Sequence, residues 1–356
     1  MSHSSEAITG FPSLTIGVDL GDRQSQLCVV DAAGTTVEER AIATTPQALQ
    51  RYFAERGAVR VVLEVGTHSP WVSRQLAGYG HEVYVADPSA MYGARRRSRR
   101  NDRMDAAYLA RLGRVDVQLL HAIQHRSEAT QAHLAQLRAR DQLVKSRTQL
   151  INHVRGAVKS VGQRLPSGGA DAFATQAAAH LPLALTEALT PLLTLIATLT
   201  TQIHAYDHRL ERLGATHYPV TQRLQQIPGV GPLTALAFVL LVEDPARFAT
   251  SRQLGAYFGL VPKLDESSQS SPQLRITKRG DPMARRYLVS AAQYVLGPFG
   301  PPCDLRRFGE ALMVRGGPNA KKRAVVAVAR KLAVLLHALW RTGTDYQPMR
   351  HAASPA

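Results

Sequence analysis

Two short apolar runs in the first third of the chain each stop at a carboxylate. The first is Leu14-Thr15-Ile16-Gly17-Val18-Asp19 and the second is Val59-Arg60-Val61-Val62-Leu63-Glu64. Short apolar, β-branched runs of this kind predict strands. Two more acids, Asp102 and Asp105, open a helical stretch directly after Arg95, Arg96, Arg97, Arg99 and Arg100. Their spacing of three puts them on one helix face, about 5–6 Å apart at Cβ. Strand ends and one helix face can converge. Acids that converge without neutralising each other suit a hard divalent cation such as magnesium, which takes oxygen ligands. Two such ions about 4 Å apart can activate a nucleophile and stabilise a leaving oxygen. The plainer reading has Asp102 capping its helix and Asp105 answering the arginines; four acids at such positions weigh against it. The arginine run beside them reads either as a solvated charge block or as a clamp on phosphates.

The surrounding pattern gives these runs a frame. Strands are expected at 14–19, 26–31, near 36–42, 59–64 and 82–86, with Gly21-Asp22-Arg23 as a hairpin turn. Helices are expected at 46–56, 69–79 and 102–113, with Pro46 and Pro70 near helix starts, where proline is tolerated. The order βββαβαβα is that of the ribonuclease H superfamily. The expected organisation is a polar, disordered stretch at 1–12 and an α/β domain at 13–125. A coiled-coil helical region at 126–215 and a C-terminal helical domain at 216–345 follow, then a disordered tail at 346–356. Within the helical region, 127–162 reads as one long helix with Leu137, Val144, Ile151 and Val158 every seventh position. Residues 163–181, broken by Pro166, Gly168 and Gly169, read as a loop. A second helix at about 183–213 carries Leu192, Ile196, Leu199, Ile203, Tyr206, Leu210 and Leu213, alternating four and three apart as a heptad seam does. The two helices can pair with each other or with another subunit. The fold class is therefore α/β plus all-α.

Charge narrows the partners. The 356-residue chain carries a formal net charge of +16 and a sequence pI near 10.3. A field of that sign favours a polyanion, with nucleic acid the default. Cys28 and Cys303 are far apart and lack metal-ligand spacing, which argues for a reducing compartment. Residues 1–12 contain no apolar leader segment. The most apolar region, 182–203, is interrupted by threonines and reads as unfit to span a bilayer. The expectation is a cytoplasmic protein with no membrane partner.

Three stretches in the last third carry further signals. Ile227-Pro228-Gly229-Val230-Gly231-Pro232 puts two glycines between helices, a tight hairpin whose amides can face a phosphate. It looks like the hairpin of a helix-hairpin-helix DNA-binding element; an ordinary glycine turn is the alternative. Tyr257-Phe258-Gly259-Leu260-Val261-Pro262 precedes a loop with Ser267, Ser268, Ser270 and Ser271, and then Ile276-Thr277-Lys278-Arg279-Gly280-Asp281. Loop serines are most often solvated. A serine flanked by Lys278, Arg279, Arg285 and Arg286 can instead be a nucleophile toward a phosphodiester. The third is a basic amphipathic helix at 318–341, opening with Lys321, Lys322 and Arg323.

These stretches together resemble the DEDD-type insertion-sequence transposases, which join a RuvC-like domain to a serine-bearing transposase domain and are understood as bridge-RNA-guided recombinases. The resemblance rests on Ile16-Gly17-Val18-Asp19, Leu63-Glu64 with Gly66, and Asn101-Asp102-Arg103-Met104-Asp105-Ala106. It continues through Ile227-Pro228-Gly229-Val230-Gly231, Gly259-Leu260-Val261-Pro262, Ile276-Thr277-Lys278-Arg279-Gly280-Asp281 and Ala327-Val328-Ala329-Arg330-Lys331-Leu332. Several are weak alone; their order and spacing are specific. The resemblance implies a catalytic and metal-binding tetrad of Asp19, Glu64, Asp102 and Asp105, holding two magnesium ions with manganese as the substitute. It implies a nucleophile at Ser267, with Ser268 as the alternative because Ser268 stands where the family usually has glycine. It further implies DNA cut and rejoined through a phosphoserine link, donor and target DNA as substrates, and a structured non-coding guide RNA. Dimers assembling into tetramers are implied as well, with acids and serine drawn from different subunits. Nucleic-acid contacts are expected from Arg95, Arg96, Arg97, Arg99, Arg100, Gly229, Gly231, Lys278, Arg279, Arg285, Arg286, Lys321, Lys322 and Arg323. The competing function is a metal-dependent endonuclease of the Holliday-junction type that uses the acids and water without serine.

Overall fold

The computed structural model describes residues 13–87, 102–264 and 274–350. The chain divides into two compact units, Met1–Arg126 and Ser127–Ala356.

The first unit is built on a five-stranded sheet of order β3-β2-β1-β4-β5. Its strands are β1 (Leu14–Leu20), β2 (Gln24–Asp31), β3 (Thr36–Ala43), β4 (Arg60–Glu64) and β5 (Glu82–Ala86). The first three form an antiparallel meander, and β1, β4 and β5 are parallel. Parallel neighbours need crossovers, and the two helices α1 (Pro46–Phe53) and α2 (Ser69–Gly78) supply them. Thr45 caps α1, its hydroxyl accepting from the Ala48 amide at 3.2 Å. Side chains alternate across the sheet. Ile16, Val18, Leu27, Val29, Val61 and Leu63 face one layer and bury Leu49, Phe53, Val72 and Leu76 of the crossover helices. Cys28, Val30, Val62 and Ala86 face the other, against a third helix, α3 (Asp102–Val115), through Ala106, Ala107, Leu109 and Ala110.

The second unit is helical. Two long helices, α4 (Glu128–Ser160) and α6 (Thr186–His217), lie against each other. Near one end they bury Ile151, Val154, Val158, Leu189, Leu193 and Ile196. The segment 163–181, expected to be a loop, contains a short helix, α5 (Phe173–Ala178), a correction to the sequence reading. Pro166, Gly168 and Gly169 do break the chain, but Phe173 and Ala177, four apart, bury one face between the long helices. The middle of α4 is polar where a heptad would place Val144: Asp141 and Arg147 are the buried residues, and Val144 is only half-buried. On α6, Ile196, Ile203 and Leu210 are buried, whereas Leu192, Leu199, Tyr206 and Leu213 are half-buried.

Leu134, Leu137 and Leu210 belong to the same core as the C-terminal helices, so packing runs continuously past residue 216. Those helices are α7 (Val220–Leu224), α8 (Pro232–Val242), α9 (Gln253–Tyr257), α10 (Pro282–Val295), α11 (Asp304–Val314) and α12 (Ala320–Thr342). Every residue of α8 from Thr234 to Val242 is buried, which makes it the central element of this core. The tail expected to be disordered from 346 is pinned at its start: the Tyr346 amide donates to Gln226 Oε1 at 2.8 Å, and Asp304 N donates to Pro348 O at 2.8 Å. Residues 1–12 and 351–356 lie outside the described residues.

The reading of 182–203 as unfit to cross a bilayer also needs correction. By length and composition alone, Leu183–His217 qualifies as a candidate span. Its threonines do not break it, because Thr190, Thr194 and Thr198 each return the hydroxyl hydrogen to the carbonyl four residues back. Part of its apolar face, at Leu189, Leu193 and Ile196, packs in one cluster with α4 and α5 of its own unit, although only 22% of its most apolar window is buried.

Candidate active site

In the first unit the four acids gather at one edge of the sheet. Val18 pairs with Leu63 in the parallel ladder between β1 and β4, so the next residues, Asp19 and Glu64, leave the ends of neighbouring strands side by side. Asp19 has the facing of Gly17, and Glu64 that of Val62, so both project toward the layer that holds α3. Glycine at 17 is what lets that helix approach. A Cβ built there would lie 2.0 Å from the Ala106 carbonyl oxygen and 2.4 Å from the Ala110 nitrogen. At the other end of α3, Gly113 touches Val62 and its carbonyl accepts from Arg60 Nη1 at 3.0 Å. Arg60 begins β4, so α3 runs antiparallel to β1 and β4, and its first turn returns to the edge where Asp19 and Glu64 emerge. Asp102 and Asp105 both lie in that turn. The helix N-terminus favours negative charge there, by about 0.3–1 kcal/mol per group at an exposed position.

Electrostatics register this convergence. Burial, reinforced by the charges of Asp102, Asp105 and Glu64, raises the Asp19 carboxyl from 3.8 to about 6. An acid held this far up is one whose ionised form lacks compensation and gains most from a cation. The donor set, carboxylate oxygens only, matches magnesium or manganese by chemistry. Among the described residues, no three His, Cys, Asp or Glu side chains are arranged to hold a metal ion as they stand. The fit is therefore one of donor type and charge, and closing on an ion requires side-chain movement. At the same edge, Asp22 in the β1–β2 turn lies 3.5 Å from His68 Nε2, and His68 Nδ1 accepts from the Trp71 indole at 3.1 Å. The sequence reading passed over this pair.

In the second unit the segment carrying Ser267 and Ser268 lies outside the described residues, as do Arg95, Arg96, Arg97, Arg99 and Arg100 in the first. The two chain stretches that bracket the serines are described, and they are tied together. Lys263 N donates to Arg275 O at 2.9 Å, Thr277 N to Val261 O at 2.9 Å and Lys278 N to Gly259 O at 3.2 Å. Lys263, Arg275, Lys278 and Arg279 are exposed on this clip; the first two were not expected from the sequence. Arg285 turns inward, and Arg286 pairs with the buried Asp141 of α4. Burial opposes ionisation of Asp141, but hydrogen bonds from Lys145 and Arg286 outweigh it and hold the carboxyl below its ordinary range.

The glycine hairpin is also placed. Gly229 has φ +81°, and a Cβ there would lie 2.7 Å from the Ala291 carbonyl of α10, so its close approach is to this chain's own core. Gly231 is exposed and sits just before α8 as its N-cap. Lys321, Lys322 and Arg323 are exposed in the first turn of α12, and Arg323 donates to Gly316 O at 2.7 Å.

Comparison with known proteins bears on both units. A DEDD transposase profile of the IS110 type matches residues 16–162, and one described as "Transposase IS116/IS110/IS902 family" matches residues 221–303. The transposase for insertion sequence element IS1111A of Coxiella burnetii is 32% identical, with 93% of this chain and 91% of that protein aligned. The transposase for element IS1328 of Yersinia enterocolitica is 29% identical over 79% of this chain and 84% of its own length. A pilin gene-inverting protein of Moraxella lacunata is 27% identical over 36% of this chain and 39% of its own.

Proposed function

The chain belongs to the IS110/IS116 family of insertion-sequence transposases, and from that premise we propose that it cuts and rejoins DNA through a serine nucleophile working with an acid-held metal. DNA is the substrate that membership in the family brings. The observation that carries the proposal is the meeting of four carboxylates from two strand ends and one helix turn, felt at Asp19 as a carboxyl raised to about 6.

Asp19, Glu64, Asp102 and Asp105 are assigned the metal. A bound divalent cation would supply Lewis-acid polarisation of a phosphodiester. Ser267, or Ser268 in its place, is assigned the attack. Its hydroxyl oxygen bonds to phosphorus while the bond from phosphorus to one sugar oxygen breaks, and the hydroxyl proton ends on that leaving oxygen. The phosphoserine link keeps the bond energy for rejoining. Arg95, Arg96, Arg97, Arg99, Arg100, Lys278, Arg279, Lys321, Lys322 and Arg323 are assigned to phosphates, consistent with a chain of net charge +16. Sequence choice is assigned to a structured guide RNA. Assembly into dimers and tetramers is assigned to the long helices, where Leu199 and Tyr206 of α6 are half-buried and, unlike Leu192 and Leu213, do not pack against the unit's own cores.

The deciding experiment traps the protein on a labelled duplex spanning an end of its insertion element, with magnesium present, and analyses it under denaturing conditions. A covalent protein–DNA adduct is expected from the wild type and from neither the Ser267→Ala, Ser268→Ala double variant nor Asp102→Ala. Magnesium-dependent cleavage with no adduct would reassign the protein as an acid-only endonuclease. Recovery of one discrete RNA with the purified protein tests the guide; recovery of only random fragments would refute it.

A further inference from the structure

We propose that Arg285 is a positioning residue for strand transfer: it locks the crossing of the two backbone stretches that bracket the serine segment. This rests on the serine reading above. The two stretches cross at van der Waals contact through paired glycines. Gly259 has φ +65°, and a Cβ on it would lie 2.2 Å from the Arg279 carbonyl oxygen. Gly280 has φ +73°, and its Cβ would lie 2.0 Å from the Tyr257 carbonyl oxygen. Each glycine thus clears space for the other strand's backbone, and neither site tolerates a side chain.

At this crossing three carbonyl oxygens converge on one cation. Arg285 Nη1 lies 3.2 Å from Phe258 O on the first stretch, and 2.5 Å and 3.1 Å from Arg279 O and Gly280 O on the second. A single guanidinium therefore ties one stretch to the other from the first turn of α10. Its footing is fixed in turn. Asp281 caps α10 by accepting from Met283 N at 2.8 Å and Ala284 N at 3.1 Å, and its other oxygen accepts from Arg138 of α4 at 3.1 Å. Arg285 is half-buried with its Nη1 directed at protein carbonyls, whereas Lys278 and Arg279 are exposed. Basic residues that look equivalent in sequence thus divide into an internal clamp and an outward pair.

Transfer at phosphorus demands near-linear approach, and a displacement of about 1 Å can cost on the order of a hundredfold in rate. Losing the clamp should therefore slow chemistry without weakening DNA binding. The test compares the wild type with Arg285→Met, which keeps the aliphatic stem but no donor, and with Gly280→Ala, which opens the crossing without touching charge. Three quantities are read on the full chain with its co-purified RNA and the labelled element-end duplex: the rate of adduct formation at saturating DNA, the DNA dissociation constant against salt, and hydrogen exchange at the Lys263 and Thr277 amides. Expected are adduct formation slowed about ten- to a hundredfold in both variants, unchanged affinity and salt slope, and faster exchange at those amides with the rest of the unit protected. Wild-type adduct rates in Arg285→Met would overturn the proposal. So would weakened binding with a salt slope shallower by about one, the signature of a lost phosphate contact. A wild type that forms no adduct would fail the serine reading and this proposal with it; an adduct that forms equally well in the variants would fail this proposal alone.

Discussion

The acid edge of the first unit and the serine clip of the second are built in opposite ways. The acids ride on regular elements: two parallel strands and one helix turn, brought to one edge because Gly17 lets α3 lie directly on β1. The clip is made of irregular backbone, held by cross-chain amide bonds, paired glycines and one arginine. Regular elements repeat their facing every two or three to four residues, so the placement of a side chain follows from its position along the chain. Irregular backbone has no such period. Its placement depends on what crosses it, and the crossing partner here is remote in sequence.

The largest test of that contrast removes the chemistry on each side. Asp102→Ala and the Ser267→Ala, Ser268→Ala double variant should each reduce strand transfer at least about a thousandfold. Both should bind DNA within about threefold of the wild type by gel shift. Activity surviving in the double serine variant would dissolve the comparison altogether.

Next in size is the helix contact that gathers the acids. Gly17→Ala should destabilise the first unit by about 3 kcal/mol, because the new methyl meets backbone of α3 that cannot move aside cheaply. Gly57→Ala, with nothing within 4 Å of its Cβ, should change stability by no more than about 0.5 kcal/mol. Chemical denaturation followed in both variants checks the difference. Equal effects would mean that the approach of α3 is not limited by that glycine.

The acid edge also predicts a pH dependence. In the folded protein, burial and the neighbouring carboxylates push the Asp19 carboxyl up to about 6 from its ordinary value of 3.8. The folded form therefore holds its proton more tightly, and this group's contribution to stability is greatest below about pH 4 and is lost as pH rises through about 6. Asp19→Asn should remove that loss. After allowance for partial exposure, it should stabilise the metal-free protein by about 1–2 kcal/mol at pH 7.5, with the gain gone below about pH 4. Magnesium-dependent cleavage by the wild type should fall as pH drops through about 6, when the proton competes with the cation. Melting profiles across pH with chelator present, and without benefit from Asp19→Asn, would show that the four acids do not repel as the geometry requires.

The smallest effect concerns the outward cations of the clip. Lys278→Ala and Arg279→Ala should each flatten the dependence of log affinity on log salt by about 0.7–0.9, a loss of only a few-fold at fixed salt. A flat response would leave the clip without a phosphate to hold, and the two regions would differ in function as well as construction.

Legibility in the sequence followed the same division. The strands at 14–20, 60–64 and 82–86 and the helix opening at Asp102 were readable from apolar runs and spacing, and the acids came with them. Gly17 was in view as part of the first run, and a glycine inside a strand signals close backbone approach, yet its partner helix was not deducible. The short helix Phe173–Ala178 was hidden because its two apolar anchors sit in a stretch otherwise rich in breakers. Arg285 and Arg286 read as two more members of a basic cluster. Only the structure shows one bonded to three carbonyls and the other paired with Asp141. Val144 was the expected heptad residue, but Asp141 and Arg147 took the buried positions because each found an ionic partner, Arg286 and Asp171.

Readable from the sequence alone were the α/β and helical parts, the positions of four candidate acids, the basic character and the family. These depend on local period, residue chemistry and motif order, all written along the chain. Tertiary structure decided that α3 runs antiparallel to β1 so that its first turn meets the strand ends, that Gly229 turns into the core, and that Arg285 faces inward. Those outcomes are set by steric fit and by which carbonyls are left to be satisfied when distant segments cross, and neither is defined until the chain has folded.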